Sequence, residues 1–171
     1  KLDKPLLWDE FEPHMYQLEA LLKSKTNALT HIDRKTTVFG MREIGTKGTQ
    51  FTLNGSVVFL RGNLDCAQFP LTGYSSMERK FWEHSLSTQK AYGLNHVRFH
   101  TWCPPQVAFR VADSLGMILE LGVPDLKATD TYSIEKHKQE LFRAVDTYGN
   151  HPSFCLMSMG NEDKGEVLKA S

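Results

Sequence analysis

The chain contains few cysteines, and their arrangement does not favour a disulfide-stabilised fold or a zinc site. Cys66, Cys103 and Cys155 are the three cysteines among 171 residues, and no two of them form a CxxC pair. An odd number of widely spaced cysteines provides neither the framework of a small disulfide-rich domain nor the paired thiolates of a structural zinc site. We therefore interpret all three as small buried side chains and predict no bound metal.

An excess of charge of one sign is also absent. Twenty Lys and Arg residues balance twenty Asp and Glu residues, so the formal net charge is zero at pH 7. Domains that bind nucleic acids or anionic membrane surfaces present a basic patch that such a balance does not indicate. We expect neither a nucleic acid nor a membrane as a partner, and a neutral small molecule or a carbohydrate fits the composition better.

Long apolar runs and phosphate-binding glycine motifs are missing as well. No stretch approaches the roughly 18 apolar residues of a membrane span, and the start of the sequence, KLDKPLLWDEF, does not have the pattern of a signal peptide. Neither GxGxxG nor GxxxxGKS/T occurs, and Gly62 stands alone after its strand. These absences predict no nucleotide cofactor, and the sequence indicates no other cofactor.

The first third of the chain has the pattern of antiparallel strands. Polar and apolar residues alternate over 15–20, and short β-prone runs follow at 36–39 and 51–53. Asn54-Gly55 before the apolar run 57–60 is typical of a tight β-hairpin turn. Because too few strands are present to close a β-sandwich, we interpret this part as the last strands of an all-β domain.

After residue 55 the pattern changes to alternating strands and helices. We predict strands at 59–64, 95–100, 117–121 and 153–160, with helices at 77–92, between Pro104-Pro105 and Gly116, over 134–148 and at 165–170. The apolar stripes of the second and third helices are Val107, Ala108, Val111, Ala112 and Leu115, and Ile134, Leu141, Phe142, Val145 and Tyr148. Helical crossovers between such strands are right-handed, so the sheet is parallel, either open and doubly wound or part of a barrel.

The last predicted strand ends in an Asn-Glu pair. Residues 151–161 read HPSFCLMSMGN, and Glu162 follows. Buried strands of parallel sheets read as continuous apolar stretches, and enzymes built on such sheets keep their reacting groups at the carboxyl ends of the strands. Glu162 is therefore the first candidate for a reacting group. Asp65, just past the first strand, and Glu120, on the third, also lie where barrel sites collect carboxylates.

Five short motifs, in order along nearly the whole chain, resemble those of glycoside hydrolase family 2, the clan-A group of retaining β-galactosidases, β-glucuronidases and β-mannosidases. They are residues 7–16 (LWDEFEPHMY), 39–42 (FGMR), 51–62 (FTLNGSVVFLRG), 92–98 (YGLNHVR) and 148–162, where NHPS precedes GNE. The resemblance implies an α/β fold, in which terminal strands of an Ig-like β-sandwich (1–54) precede the first half, about four β/α units, of a TIM (β/α)8 barrel (55–171).

The resemblance also implies roles for individual residues. A retaining glycosidase needs a protonated carboxylic acid near the leaving oxygen and a second carboxylate about 5–5.5 Å away as the nucleophile. Glu162 matches the general acid/base, and desolvation at the end of an apolar strand would raise its pKa. Asn161 matches the residue that hydrogen-bonds the sugar 2-hydroxyl. Arg98 matches the arginine beside the nucleophile, whose charge persists at any working pH.

Three further residues are candidates for substrate binding. His100 and Trp102 follow the second strand, where a hydrogen-bonding histidine and a sugar-stacking aromatic ring would be useful, and Asp65 follows the first strand. Structural interpretations compete with each role: Glu162 could be a solvated loop residue, Arg98 a buried ion-pair partner and Trp102 a core side chain.

The sequence departs from the family pattern at two places. Residues 63–66 (NLDC) stand where family members often carry a histidine, and 98–104 (RFHTWCP) replace the common R.SHYP, so the sugar specificity stays open. The family nucleophile lies at the end of barrel strand seven, whereas four barrel strands are predicted here and a closed barrel takes about 250 residues. We expect a piece of a longer enzyme, inactive alone, that self-associates through an open half-barrel. The compartment is not indicated, although polysaccharide-degrading relatives are commonly periplasmic or secreted.

Two other functions remain open from the sequence. One is a non-catalytic carbohydrate-binding or assembly module, for which Glu162→Gln would change nothing measurable. The other is a clan-A hydrolase that uses the same acid/base glutamate on a uronic-acid or α-linkage, because residues 69–74 and 98–105 fit the β-galactosidase pattern poorly.

Overall fold

The structure is a computed structural model that describes residues 3–26, 29–124 and 131–161. In chain order, its elements are β1 (Tyr16–Thr26), β2 (Leu29–Phe39), β3 (Ile44–Lys47), β4 (Gln50–Leu53), β5 (Ser56–Val57), β6 (Gly62–Asp65), α1 (Arg79–Ala91), β7 (His96–Phe99), α2 (Gln106–Leu115), β8 (Ile118–Gly122), α3 (Thr131–Tyr148) and β9 (Phe154–Ser158). The helix predicted at 165–170 lies outside the described residues.

The antiparallel part comprises a two-stranded ribbon, β1-β2, and a three-stranded sheet in the order β3-β4-β5. In the ribbon, β1 pairs with β2 from Tyr16 opposite Phe39 to Thr26 opposite Leu29. Strand β2 is longer than the predicted run 36–39. Residues 30–35 hold one apolar side chain and give no alternating signal, so the pairing with β1, rather than local sequence, extends this strand.

The predicted hairpin turn at Asn54-Gly55 is confirmed between β4 and β5. Both residues have positive φ angles, 53° and 79°. A type I′ two-residue turn requires positive φ at both central positions, and asparagine and glycine adopt such angles at low cost. The Asn54 side chain also accepts a hydrogen bond from the Glu43 backbone N–H at 3.0 Å and donates one to the Trp8 carbonyl at 3.0 Å. The turn therefore also holds the N-terminal segment.

The second part of the chain is a four-stranded parallel sheet in the order β6-β7-β8-β9. The strands are neighbours in sequence order, and all three pairings are parallel. The helices α1, α2 and α3 connect them, as the alternating pattern predicts. The second helix begins after Pro105 and ends at Gly116, in agreement with the sequence signals.

The helix-facing side of the parallel sheet forms the main core. Its buried members are Trp82, Leu86, Val97, Phe99, Ala108, Phe109, Val111, Ala112, Met117, Leu119, Leu121 and Phe154. Complete burial of a large apolar side chain contributes roughly 1.5–3 kcal/mol. On the other side, Ile118 packs with Trp8 and Leu53 of the antiparallel part in a smaller cluster. The core thus positions β7 and β8 from one side, while the other side carries this smaller apolar cluster together with polar groups.

Side chains from the antiparallel part are bonded to backbone carbonyls of the parallel part. The Trp8 indole donates to the Asp113 carbonyl at 2.7 Å. The Arg42 guanidinium donates to the carbonyls of Pro152 at 3.1 Å and Phe154 at 2.6 Å. In return, the Lys90 ammonium donates to the Glu10 carbonyl at 2.5 Å. The two parts are therefore joined at the end of the sheet where the strands begin.

Two expectations about burial are wrong. Cys66 and Cys103 are exposed, because they lie in the loops after β6 and β7 rather than in the core, and Cys155 is half-buried. On α3, Phe142 and Val145 are exposed. The inward-facing positions of this helix are instead those of His137 and Leu141, because residue 142 lies about 100° around the helix from residue 141.

Candidate active site

The carboxyl ends of the four parallel strands lie along one edge of the sheet. The register places Asp65 opposite Phe99, Phe99 opposite Leu121, and Gly122 opposite Ser158. His100 and Trp102 follow β7, and Asn161 follows β9. The residues predicted from separate motifs are therefore grouped at one edge, which is where parallel α/β enzymes keep their chemistry. Glu162 lies outside the described residues.

Arg98 lies on the sheet face opposite the helices, where it is bonded to neighbouring strands. Its Nε is 3.2 Å from Oε1 of Glu120, and its Nη2 donates to Oγ of Ser158 at 3.4 Å. The side chain thus connects β7 to both β8 and β9. This arrangement supports the interpretation of Arg98 as an ion-pair partner, and it leaves the predicted role beside a nucleophile as a prediction.

Glu120 is the centre of this polar group. His96 Nε2 lies 3.4 Å from its Oε2, which makes an ion pair when the imidazole is protonated, although the contact does not meet the geometry of a hydrogen bond. The contact with His96, followed by the positive charge of Arg98, holds the pKa of the Glu120 carboxyl below its ordinary value, and burial opposes this shift. Glu120 is therefore an anion at neutral pH that compensates the charge of Arg98.

Gly62 allows His96 to approach the sheet closely. A Cβ atom built on Gly62 would lie 2.5 Å from His96 Nδ1, which is a steric clash between non-bonded atoms. The absence of a side chain at residue 62 therefore lets the imidazole lie over β6. The glycine that follows the LR pair in the sequence has a packing role and not a phosphate-binding one.

The loops after β6 and β7 are fastened to each other through Asp65. Its backbone carbonyl accepts hydrogen bonds from the His100 N–H at 2.8 Å and from the Trp102 indole at 3.1 Å. Its carboxylate accepts the Ala67 N–H at 2.9 Å, which is a turn-forming contact. The Sγ atom of Cys66 lies 3.9 Å from Nδ1 of His100. Asp65 and His100 thus lie at the carboxyl edge of the parallel sheet, as predicted.

Trp102 packs among other aromatic rings. Its ring centroid lies 5.1 Å from that of Phe99 and 5.6 Å from that of Phe69, both in edge-on geometry, and 6.5 Å from that of Trp82. Such contacts favour the core interpretation of this tryptophan. Its predicted contact with a sugar remains a prediction.

The end of β9 is held by hydrogen bonds from three directions. The Val123 N–H donates to the Ser158 carbonyl at 3.0 Å. The Ser158 hydroxyl donates to the Gly160 carbonyl at 3.1 Å, and Nε2 of His137 lies 3.2 Å from the Met159 carbonyl. Asn161, which is half-buried, comes directly after this ordered strand end.

A cavity of about 390 Å³ near this edge lies on the helix side of the sheet. It is lined mainly by apolar side chains, including Trp102, Pro104, Leu121, Leu141 and Met157. Because Leu121 and Met157 face α3, this space is separated by the sheet from Arg98 and Glu120. We do not assign it to the candidate site.

Ser158 and His137 were not predicted as site residues from the sequence. Ser158 lies inside an apolar run and gives no signal by itself. His137 could have been found, because it lies four residues before Leu141 on the inward stripe of α3, and a polar residue at a core position is informative. Within residues 3–26, 29–124 and 131–161, no group of three His, Cys, Asp or Glu side chains could hold a metal ion, and none of the helices could cross a membrane.

The chain is similar to several known proteins. No protein-family model matches the chain. A putative β-glucuronidase from Formosa agariphila is 29% identical over 95% of the chain, and a β-galactosidase from Lactococcus lactis is 25% identical over 92%. A glycosyl hydrolase family 2 member from Bacteroides cellulosilyticus superimposes with a TM-score of 0.80 over 97% of the chain at 26% identity. These proteins are glycoside hydrolases.

Within that class, the resemblance to glycoside hydrolase family 2 is confirmed. The match extends over nearly all of this chain but over a small part of each relative. The chain spans 16% of the length of the two curated relatives and 23% of the solved Bacteroides protein. The mixed α/β fold with a parallel sheet is shared with that structure.

Proposed function

We propose that the chain forms the part of a retaining β-glycosidase that carries the general acid/base. In this proposal, residues 1–54 are the last strands of an Ig-like domain, and residues 55–171 are the first four β/α units of a (β/α)8 barrel. One observation carries the proposal: β6, β7, β8 and β9 are parallel, lie in sequence order and end along one edge of the sheet. The last of them, β9, leads in the sequence to Asn161 and Glu162. The named relatives support it.

The proposed mechanism assigns proton transfer to Glu162. Its protonated carboxyl group donates a proton to the glycosidic oxygen while a second carboxylate attacks the anomeric carbon, and the resulting carboxylate then removes a proton from the attacking water. Asn161 hydrogen-bonds the sugar 2-hydroxyl, a contact that strengthens as positive charge develops at the anomeric centre. The second carboxylate belongs to strand seven in the family, so a polypeptide of residues 1–171 alone is proposed to be inactive.

Arg98 fits this scheme through its remaining hydrogen-bonding capacity. A guanidinium group has five N–H donors, and the contacts described above use Nε and one hydrogen of Nη2. Its fixed positive charge on the open face of the sheet can keep a neighbouring nucleophilic carboxylate ionised. Glu120 and Ser158 would then hold the arginine in place for that carboxylate.

The substrate is proposed to be a β-linked sugar. The relatives are named β-glucuronidase and β-galactosidase, so both a uronide and a neutral glycoside are reasonable. A uronic-acid linkage stays as the second candidate because the curated relative with the higher identity of these two carries the glucuronidase name.

The experiment is an assay of the complete enzyme that contains this segment. We expect hydrolysis of 4-nitrophenyl β-galactoside, β-glucuronide or β-mannoside, with retention of configuration. Glu162→Ala should lower kcat/KM for a poor leaving group by about 10²- to 10⁴-fold, the usual contribution of general acid catalysis. Added azide should restore turnover of an activated substrate by forming a β-glycosyl azide. Full activity of Glu162→Ala on a poor leaving group would overturn the assignment. Sugar binding without any hydrolysis would favour the carbohydrate-binding alternative.

A polypeptide of residues 1–171 is also proposed to self-associate. Strand β6 is an edge strand of the described sheet, and Leu64 on it is about half exposed. Open edges and exposed apolar surface favour intermolecular pairing. Light scattering during size exclusion should give a mass above one chain, and Leu64→Lys should reduce it. A monomer at micromolar concentration would contradict this proposal.

A further inference from the structure

The buried histidine of α3 is bonded to the strand end that leads to the proposed acid/base. The His137 side chain is 1% exposed, and its Nε2 lies 3.2 Å from the Met159 carbonyl oxygen. A carbonyl oxygen only accepts hydrogen bonds, so Nε2 carries the hydrogen. The other ring nitrogen, Nδ1, is buried and has no partner among the described residues.

Within residues 3–26, 29–124 and 131–161, the buried Nδ1 atom gains no hydrogen bond that would favour a histidine at this position. Leucine or phenylalanine at residue 137 would fill the space without leaving a polar atom unsatisfied. Among the described residues, the ring makes its polar contact with the Met159 carbonyl, at the point where β9 ends. The benefit of the histidine is therefore at the strand end and not in the core.

Met159 is the first residue after β9, whose last residue is Ser158. The last pairing of β9 with β8 is Gly122 opposite Ser158, and the Val123 N–H bonds the Ser158 carbonyl. Beyond Ser158 the chain leaves the sheet through Gly160, whose φ is 146°. The Ser158 hydroxyl holds the Gly160 carbonyl, while His137 holds the Met159 carbonyl from the helix side.

We propose that His137 is a positioning residue for the general acid. By fixing the Met159 carbonyl, it sets the direction in which the backbone leaves β9 towards Asn161, the residue that precedes Glu162 in the sequence. The inference rests on the proposed function, because it concerns the role of Glu162. A general acid must lie within hydrogen-bond reach of the leaving oxygen, and a displacement of about 1 Å can cost about 100-fold in rate.

The test uses the complete enzyme and two leaving groups. The variants are His137→Leu, which removes the donor; His137→Gln, whose amide nitrogen reaches the place of Nε2; and His137→Asn, whose amide does not. We expect His137→Leu and His137→Asn to lower kcat/KM for the phenyl glycoside about 10- to 100-fold. We expect their kcat/KM for the 2,4-dinitrophenyl glycoside, which reports departure of the leaving group and not the later attack of water, to fall less than about 3-fold, because that leaving group needs little proton donation. His137→Gln should restore the phenyl glycoside rate to within about 3-fold of the wild type.

Two controls separate positioning from a general loss of structure. Leu141→Ala, one turn along α3 and also buried, should destabilise the same helix without removing a hydrogen bond to Met159, because leucine has no donor. It should lower both rates equally. Glu162→Ala should show the leaving-group dependence in full. If the His137 variants lower both rates equally, as Leu141→Ala does, the inference is overturned while the proposed function stands. If Glu162→Ala lowers both rates equally, the proposed function fails and the inference fails with it. His137→Asn and His137→Gln are both polar and similar in size, so they decide the question even if His137→Leu does not fold.

Discussion

The ribbon β1-β2 and the parallel sheet β6-β7-β8-β9 differ in how far they bury their apolar side chains. In the sheet, Phe99 and Leu119 are completely shielded by the helices. In the ribbon, Leu22 is 69% and Ile32 is 60% exposed, although the two strands pair along their full length. A two-stranded ribbon has no layer to pack against and is marginally stable alone. The rigidity of the candidate site therefore comes from the sheet and its helices.

The largest expected difference between the two regions comes from truncating one apolar side chain in each. Phe99→Ala should lower the free energy of unfolding by about 3–5 kcal/mol, because it leaves a cavity in the core. Leu22→Ala in the ribbon should change it by less than about 0.5 kcal/mol, since this side chain is exposed. Urea unfolding of the polypeptide of residues 1–171, monitored by tryptophan fluorescence, measures both changes in the free energy of unfolding. Similar losses would contradict the difference in burial.

A second comparison uses aspartates. The buried Asp113 carboxylate accepts hydrogen bonds from Ser153 Oγ at 2.6 Å and from the Ser153 N–H at 3.1 Å, and it lies 2.6 Å from His151 Nδ1. Asp113→Ala should cost about 3 kcal/mol, because it leaves these buried groups unpaired. Asp33→Ala on the exposed ribbon should cost less than about 0.5 kcal/mol. If Asp113→Ala and Asp33→Ala had the same denaturant midpoint, the buried hydrogen-bond network would be contradicted.

A third comparison concerns ion pairs and pH. Glu120→Gln should cost about 1–3 kcal/mol at neutral pH, as expected for a hydrogen bond with a charged partner. Glu19→Gln, which removes an exposed pair with Arg34 (3.4 Å, Nε to Oε1), should cost less than about 1 kcal/mol. Because folding lowers the pKa of Glu120, its contribution is full above the ordinary glutamate pKa of about 4.3 and is lost as the pH falls through the folded-state pKa. Denaturant midpoints measured from pH 7 to pH 3 should therefore converge for wild type and Glu120→Gln. A difference that does not change with pH would contradict this.

The smallest effect concerns thiol chemistry within the sheet region. Although part of Cys103 is exposed, desolvation of its thiol by neighbouring groups, followed by the charge of Glu140, raises the pKa of that thiol to about 11. Burial also raises the pKa of the half-buried Cys155. At pH 8 about one Cys103 thiol in a thousand is then ionised, and thiolates are the reactive form. Iodoacetamide should therefore label the exposed Cys66 first, which peptide mass spectrometry can measure. Faster labelling of Cys103 or Cys155 would show that the loops are more open than described.

The alternating strands and helices of the sheet region could be predicted because each element has a strong local signal. Pro104-Pro105 and Gly116 mark the limits of α2, and the Asn54-Gly55 turn is found where its sequence indicates. The length of the ribbon could not be predicted, because residues 30–35 take their conformation from pairing with β1. The local sequence of residues 30–35 does not indicate that β1 pairs with them.

The grouping of the site residues could be predicted, but their contacts could not. The ends of successive parallel strands must meet at one edge, so motifs that are far apart in sequence, at Asp65, Arg98 and Asn161, come together. The partners of Arg98 depend on which face of each strand is turned to it, and a bulge between Leu119 and Glu120 shifts the register there. Periodicity alone does not reveal that shift, so the role of Ser158 was missed.

The joint between the two parts of the molecule is made largely through main-chain oxygen atoms. Arg42 and Trp8 donate to carbonyls of Pro152, Phe154 and Asp113, and a carbonyl is present whatever side chain the residue carries. One partner of each bond can therefore diverge freely during evolution while the orientation of the parts is preserved. Modules joined in this way should be interchangeable between distant homologues, provided that the donor side chains travel with the antiparallel module.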